Sequence, residues 1–470
     1  MKNSGLSRYR FFDPDPAVRK IALEIYSHVK DLPIISPHGH VDPAMLAENR
    51  PFPDPTELLI IPDHYIYRML YSQGISLESL GIPTLDGNGT EKDHRKIWQK
   101  FADNFYLFAG TPSGVWLTHV LVSVFGITNK LNSKTAMKIY DSMDEKLHTK
   151  KFLPRALFEK FNIEVLTTTD SPSDNLEYHR KIKETGLKGR VVPCFRPDSL
   201  FNITRPEWKA EIEELSRSSG VEIDSYKSFV RAIEDRRGYF KSAGATSTDQ
   251  GVESAYTEEL TPAAAESIFR RALKGKATEN DSDMFIANML MEMARMSVDD
   301  GLVMQIHAGA LRNHNKLIFD RFGADKGGDM PVHGEFTRSM RALLNRYGNS
   351  TKFTLVVFTL DESAYSRELA PLAGHYPAMK LGAPWWFHDS IQGMIRYRQQ
   401  VTETAGFYNT VGFTDDTRAF MSIPARHDLS RRMDSNFLAG LVARELVDKN
   451  EAFAIARALA YELAKKTYKL

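Results

Sequence analysis

Two histidines separated by one small residue close a short apolar run at Ile34-Ile35-Ser36-Pro37-His38-Gly39-His40. Alternate side chains of a strand share a face, so His38 and His40 point the same way and Gly39 the other. Such a pair can grip one metal ion. Zinc-type ions take neutral imidazole nitrogens at roughly 2.0–2.1 Å, and catalytic sites leave a position open for water or substrate. An isolated His-x-His is as readily two unliganded histidines, so the rest of the chain has to decide. Asp416, in Gly412-Phe413-Thr414-Asp415-Asp416-Thr417-Arg418, follows a late apolar run and could add a carboxylate. Asp415 competes for that place, and either acid could cap a helix instead. His307 ends the apolar run Leu302-Val303-Met304-Gln305-Ile306, which reads as a strand buried on both faces. A histidine there fits a supporting or substrate-facing role before a metal role. Arg196, in Phe195-Arg196-Pro197-Asp198, offers a planar fork to a carboxylate or an ion pair to Asp198. Asp63-His64-Tyr65 opens a helical pattern in which the acid complements the helix dipole, and Trp385-Trp386 reads as packing.

These residues stand at the ends of recurring short runs rich in β-branched and apolar residues. The runs are Ile34–Pro37, Ile163–Thr169, Arg190–Phe195, Gly244–Thr248, Leu302–Ile306, Phe353–Thr359, Met379–Ala383 and Thr410–Thr414. Between most of them lie helical patterns, such as Ser173–Thr185, Pro206–Ser218, Ala263–Leu273 with Asp283–Ser297, and Gly334–Tyr347. Strands alternating with helices predict an α/β fold with a parallel sheet, and eight such alternations predict a (β/α)8 TIM-like barrel with its working residues at the C-terminal strand ends. Closure of that barrel sets the eighth strand beside the first, and so Asp416 beside His38 and His40.

The long stretch between the first two strands exceeds a usual βα connection. It reads as helices over Asp63–Gln73, Glu91–Phe105, Ser113–Val124 and Ser133–His148. The expected organisation is therefore residues 1–50 opening the barrel, 51–160 an inserted helical subdomain covering its mouth, 161–435 the rest of the barrel, and 436–470 C-terminal helices packed outside.

Of the 470 residues, 42% are hydrophobic and 26% charged, the profile of a soluble globular protein. Lys and Arg number 61 against 60 Asp and Glu, a formal charge of +1, so no electrostatic footprint for nucleic acid or an acidic membrane is present. Cys194 is the single cysteine, Met1–Asp13 has no apolar signal core, and no apolar run has membrane-spanning length. A cytoplasmic setting is expected. Phosphate-cradling and dinucleotide glycine loops and His-Glu-x-x-His are absent, so no cofactor beyond a metal is indicated.

Taken in order, Pro33–Pro43, Asp63-His64-Tyr65, Thr169-Asp170-Ser171-Pro172, Arg196-Pro197-Asp198, Thr248-Asp249-Gln250-Gly251, Gln305 to Asn313, Trp385-Trp386-Phe387 and Asp416-Thr417-Arg418 form a set that spans essentially the whole chain. On these motifs the chain resembles the uronate isomerase (glucuronate isomerase) family of the amidohydrolase superfamily. The resemblance implies His38, His40 and Asp416 as ligands of one divalent metal, with zinc expected, because no strand-end lysine stands ready to bridge two. It places Tyr65, Arg196, Asp249, His307, Arg312 and Arg418 around a hexuronate, with His64 and Trp386 also against it. Gln250 stands where many members have histidine, Asn313 is followed by His314 in place of a third polar amide, and a residue is added between Asp416 and the later Arg426-His427.

The implied activity in hexuronate catabolism is aldose–ketose isomerisation: D-glucuronate with D-fructuronate, and D-galacturonate with D-tagaturonate, through an enediol. Tyr65 is the expected proton carrier, with Arg418 beside it and Asp416 as a further candidate base, while Arg196 grips the C6 carboxylate. A homo-oligomer is expected. The alternative is a mononuclear metal-dependent hydrolase of a sugar-acid lactone or amide, using metal-bound hydroxide. A non-catalytic sugar-acid-binding protein on the same barrel is a further rival.

Overall fold

The computed structural model describes residues 5–470; residues 1–4, the start of the first expected segment, lie outside the described residues. In chain order the strands are β1 (Ile34–Ser36), β2 (Ile163–Thr167), β3 (Arg190–Val192), β4 (Ser247–Val252), β5 (Val303–Ala308), β6 (Ala310–Leu311), β7 (Met330–Pro331), β8 (Leu355–Thr359) and β9 (Met379–Leu381). Two parallel sheets result, β1-β2-β3 and β4-β5-β8-β9, while β6 and β7 make a small antiparallel hairpin. Isolated parallel bridges join Asp170 to Phe195, Phe195 to Thr248, and Leu381 to Thr410. The His40 amide donates to the Thr417 carbonyl at 3.0 Å, so the chain after Thr410 lies against the end of β1.

Burial explains why the strands read so plainly. Every residue of β1, β5 and β8 is buried. Parallel strands covered on both faces select continuous apolar runs. Helices begin where aspartate or threonine precedes proline: Asp15, Asp42, Asp54 and Thr111 each cap a helix whose first residue is Pro16, Pro43, Pro55 or Pro112. The cap satisfies free amides, and proline at that position loses no hydrogen bond.

Two expected strands differ. Gly244–Thr248 shifts to Ser247–Val252, because Gly244 at φ 108° caps the helix Tyr226–Ala243. Thr410–Thr414 pairs only at Thr410, since Gly412 turns at φ 80° with its α-carbon against the Leu459 carbonyl, which a β-carbon would meet at 2.5 Å. The helix Tyr226–Ala243 was not among the expected patterns. Its buried face carries Arg236 and Arg237 among Phe229, Ile233 and Phe240, which breaks the apolar stripe.

Residues between β1 and β2 fold as helices, including His64–Tyr71, His94–Asp103, Pro112–His119 and Ala136–Leu147. Their buried side chains, among them Leu70, Trp98, Phe101 and Leu147, share one hydrophobic cluster with Ile34 and Leu166 of the strands. The helix Ile423–Ala443 runs through residue 436, so the expected boundary there falls inside a helix. No helix among the described residues is long and apolar enough to cross a membrane.

Candidate active site

A cavity of about 1190 Å³ opens at the C-terminal ends of the strands, lined by His38, His40, His64, Tyr65, Arg196, Asp249, His307, Arg312, Trp386, Asp416 and Arg418. All the residues singled out from the sequence therefore meet in one place. Proximity within it is uneven.

His38 is buried and stacks on His307, ring centroids 4.7 Å apart, with His40 edge-on at 5.1 Å. The Asp416 carboxylate lies 3.0 Å from His40 Nε2 and 3.6 Å from His38 Nε2. Asp416 caps no helix. Its backbone sits at φ 37°, a left-handed conformation that acids tolerate better than most residues and that active sites often retain. Trp385 Nε1 donates to its other oxygen. Asp415 faces away, accepting from Ser36 Oγ at 2.7 Å and lying 3.6 Å from His427. The two acids are thus sorted by geometry, with Asp416 toward the histidines.

One ligand atom each from His38, His307 and Asp416 falls within 4.8 Å of the others, a group able to hold a metal ion. His307 thereby joins the cluster more closely than a supporting role required, while His40 approaches it through Asp416. The donor chemistry fits. Burial pulls the His38 imidazole down to about 4, against the pull of Asp249 and Asp416, so it is neutral at pH 7 as a ligand must be. Against burial, the imidazoles of His38 and His40 hold the Asp416 carboxyl well below its usual range. His307 Nε2 is buried with no hydrogen-bond partner among the described residues, as expected of an atom that serves an ion or substrate.

Asp249 lies within β4 and also anchors Arg196, whose Nη1 is 3.2 Å from its Oδ2. Arg196 Nε donates to Asp198 at 2.7 Å, so the ion pair and the cavity-facing guanidinium occur together. Against burial, these two carboxylates hold the guanidinium firmly charged. Gly251 makes this approach possible. A β-carbon there would stand 2.8 Å from Asp198 Oδ2 and 2.9 Å from Arg196 Nη2.

The helix His64–Tyr71 is capped by Asp63, which accepts from the Tyr65 amide at 2.9 Å and so aims the first turn into the cavity. His64 stacks on Tyr65 at 4.8 Å and meets Trp386 edge-on at 5.2 Å. Burial, then the charge of Arg418, pulls His64 down to about 3, leaving it neutral. Burial and then Asp389 push the Tyr65 phenol well above 10, and Arg426 opposes them. Arg418 is not the cation on this ring. It donates to Asp325 at 2.9 Å on the rim, while Arg426 lies 5.8 Å from the Tyr65 centroid. Arg312, set by the β6–β7 hairpin, donates to Asp329 at 2.6 Å and lies 5.7 Å from the Trp386 ring.

Sequence reasoning missed Arg426, Asp389 and Trp116. The first two sit just inside a helix or in a loop with no flanking apolar run, and only Arg426-His427 as a basic pair in a buried helix gave any signal.

A family model described as glucuronate isomerase matches residues 16–468. A curated protein named uronate isomerase from Nostoc punctiforme is 56% identical over 470 residues, covering 100% of this chain and 99% of the relative. One of the same name from Brucella canis is 52% identical over 466 residues, covering 99% and 100%. The crystal structure of glucuronate isomerase from Caulobacter crescentus superposes with a TM-score of 0.97 at 50% identity, covering 99% of this chain and 97% of that one.

Proposed function

The chain belongs to the glucuronate isomerase family, and from that premise we propose the reaction its cavity performs and the residues that carry it. The activity is aldose–ketose interconversion of uronates, D-glucuronate with D-fructuronate; D-galacturonate with D-tagaturonate is the second pair. A lactone or amide hydrolase is not favoured, because the full-length relatives named above are isomerases.

The observation that carries the residue assignments is the convergence of Tyr65, Arg196 and the His38–His307–Asp416 group on one cavity. Isomerisation removes the proton on C2, shifts that electron pair into a C1–C2 double bond as the aldehyde oxygen gains a proton, and returns a proton to C1 as the C2 oxygen becomes the carbonyl. A base near both carbons is required, and a phenol at the cavity wall serves it. Tyr65 passes its hydroxyl proton to the aldehyde oxygen as it takes the proton from C2, then delivers that proton to C1 as it takes the one leaving the C2 hydroxyl. Arg196 takes the C6 carboxylate through its fork, with Asp198 and Asp249 fixing the guanidinium. His64, Trp386 and Arg312 wall the sugar, and Arg418 closes the rim beside Asp325.

His38, His40 and Asp416 would hold one divalent metal, zinc being suited to imidazole and carboxylate donors, with His307 beside them. When bound, such an ion supplies Lewis-acid charge to substrate oxygens.

The reading extends to the architecture: the two sheets and the segment at Thr410 form one (β/α)8 barrel, with residues 51–160 as a helical cover. The Asp170–Phe195, Phe195–Thr248 and Leu381–Thr410 bridges, together with the His40–Thr417 hydrogen bond, support that closure.

NMR of D-glucuronate with the purified protein in D₂O tests the function. Ketose carrying deuterium is expected. Release of an acid from a lactone, with glucuronate untouched, would contradict it.

A further inference from the structure

Arg426 is buried in the cavity wall and held from three directions. Its Nη1 donates to Asp389 Oδ2 at 2.8 Å and to the Asp415 carbonyl at 3.2 Å, and its Nε donates to Ser422 Oγ at 3.1 Å. The guanidinium carbon lies 3.6 Å from the centroid of Trp116 and 5.8 Å from that of Tyr65, and the two rings meet edge-on at 90°. Burying both members of an ion pair is costly in stability and is weak support for a purely structural role. Asp389 adds to that cost, for its Oδ1 is buried with no hydrogen-bond partner among the described residues while the residue faces the cavity. The rim cation offers a contrast. The side chains of Arg418 and Asp325 are 45% and 50% exposed, so solvent screens their charges from the phenol.

We propose that Arg426, anchored by Asp389, is the positioning residue of Tyr65: its fixed, desolvated charge stabilises the anionic oxygen of the phenol during proton transfer, and Asp389 keeps the guanidinium at the ring. A preorganised cation in a water-poor wall acts on developing negative charge without having to reorient. Asp389 Oδ1 is then the acceptor left for a substrate hydroxyl or water on the cavity side. This rests on Tyr65 carrying the proton.

A double-mutant cycle separates the two ideas, with D-glucuronate as substrate. Arg426→Met should lower kcat by roughly 10–100-fold, the range for a partner that orients a site residue, with KM and metal content held. Arg426→Lys, which keeps a charge but not the planar fork held by Asp389 and Ser422, should lower kcat in the same direction by less. In the Tyr65→Phe background neither change should cost anything further. Losses of the same size in both backgrounds would overturn the role of Arg426 while leaving Tyr65 in place, as would a raised KM at unchanged kcat. Wild-type turnover by Tyr65→Phe alone would overturn the Tyr65 assignment and this proposal with it. If Arg426→Met does not fold, Arg426→Lys in both backgrounds decides by the same criterion.

Discussion

Asp249 and His307 lie 2.6 Å apart, Oδ1 to Nδ1, on adjacent strands of one parallel sheet. Against burial, His307 and Arg196 hold the Asp249 carboxyl far below its usual range, so it is ionised and Nδ1–H donates to it. That bond fixes the orientation of the ring. The other nitrogen, Nε2, is buried with no hydrogen-bond partner among the described residues on a ring stacked against His38, the arrangement by which proteins orient an imidazole toward a metal or substrate. The same carboxylate also holds Arg196, so one buried acid aligns both ends of the site.

Metal content should follow the histidine pair. Replacing His38 and His40 together with alanine should remove most of the bound divalent metal, read by elemental analysis of purified protein. Unchanged content would place the ion elsewhere.

Arg196→Met should cost uronates about 2–5 kcal/mol in kcat/KM, the penalty for truncating one partner of a buried charge pair, and cost neutral hexoses far less. Comparing D-glucuronate with a neutral aldohexose checks it. Equal losses would make the guanidinium structural, holding only Asp198 and Asp249.

Gly251→Ala should act on the same guanidinium from behind, because its new methyl would press on Asp198 and Arg196. Overpacking of this kind costs about 1–3 kcal/mol of stability, visible in denaturant titration, and KM for the uronate should rise with it.

How far the sequence disclosed this site can be judged residue by residue. His38, Arg196, His307 and Asp416 were legible because apolar runs stand out in the chain and so does the polar residue that follows each, whereas Asp249, in the polar strand Ser247–Val252, came forward only through the family resemblance. The choice of Asp416 over Asp415 was not legible, since it depends on a left-handed turn at Asp416 that sends the neighbouring side chains to opposite sides. The partner of Tyr65 was not legible either. Arg418 lies near the right motif, yet Arg426, eight positions on and one helix turn deep, reaches the ring, and Asp389 meets it only through the fold. Pairings across distant elements leave no periodic trace in the chain.

Asp170 gives a pH prediction. Burial raises its carboxyl from 3.8 to about 7, against a hydrogen bond from Thr168. A raised acid binds its proton more tightly folded than unfolded, so its stabilising contribution is complete below about pH 4 and is lost as pH rises toward 7. Asp170→Asn cannot ionise. Thermal melts across that window should show a smaller decline for the variant than for the wild type, and parallel curves would contradict the assignment.

Tyr65→Phe tests the central claim most directly, because it keeps the ring against His64 and Trp116 and removes only the hydroxyl. The measurement is exchange of the C2 proton of D-glucuronate with solvent, followed by NMR in D₂O alongside turnover. The account predicts that both fall together by roughly 10²–10⁴-fold, the range for loss of a general acid–base, with metal content unchanged. Exchange and turnover at near wild-type rates would contradict it and move the base to Asp416 or to a water at the metal.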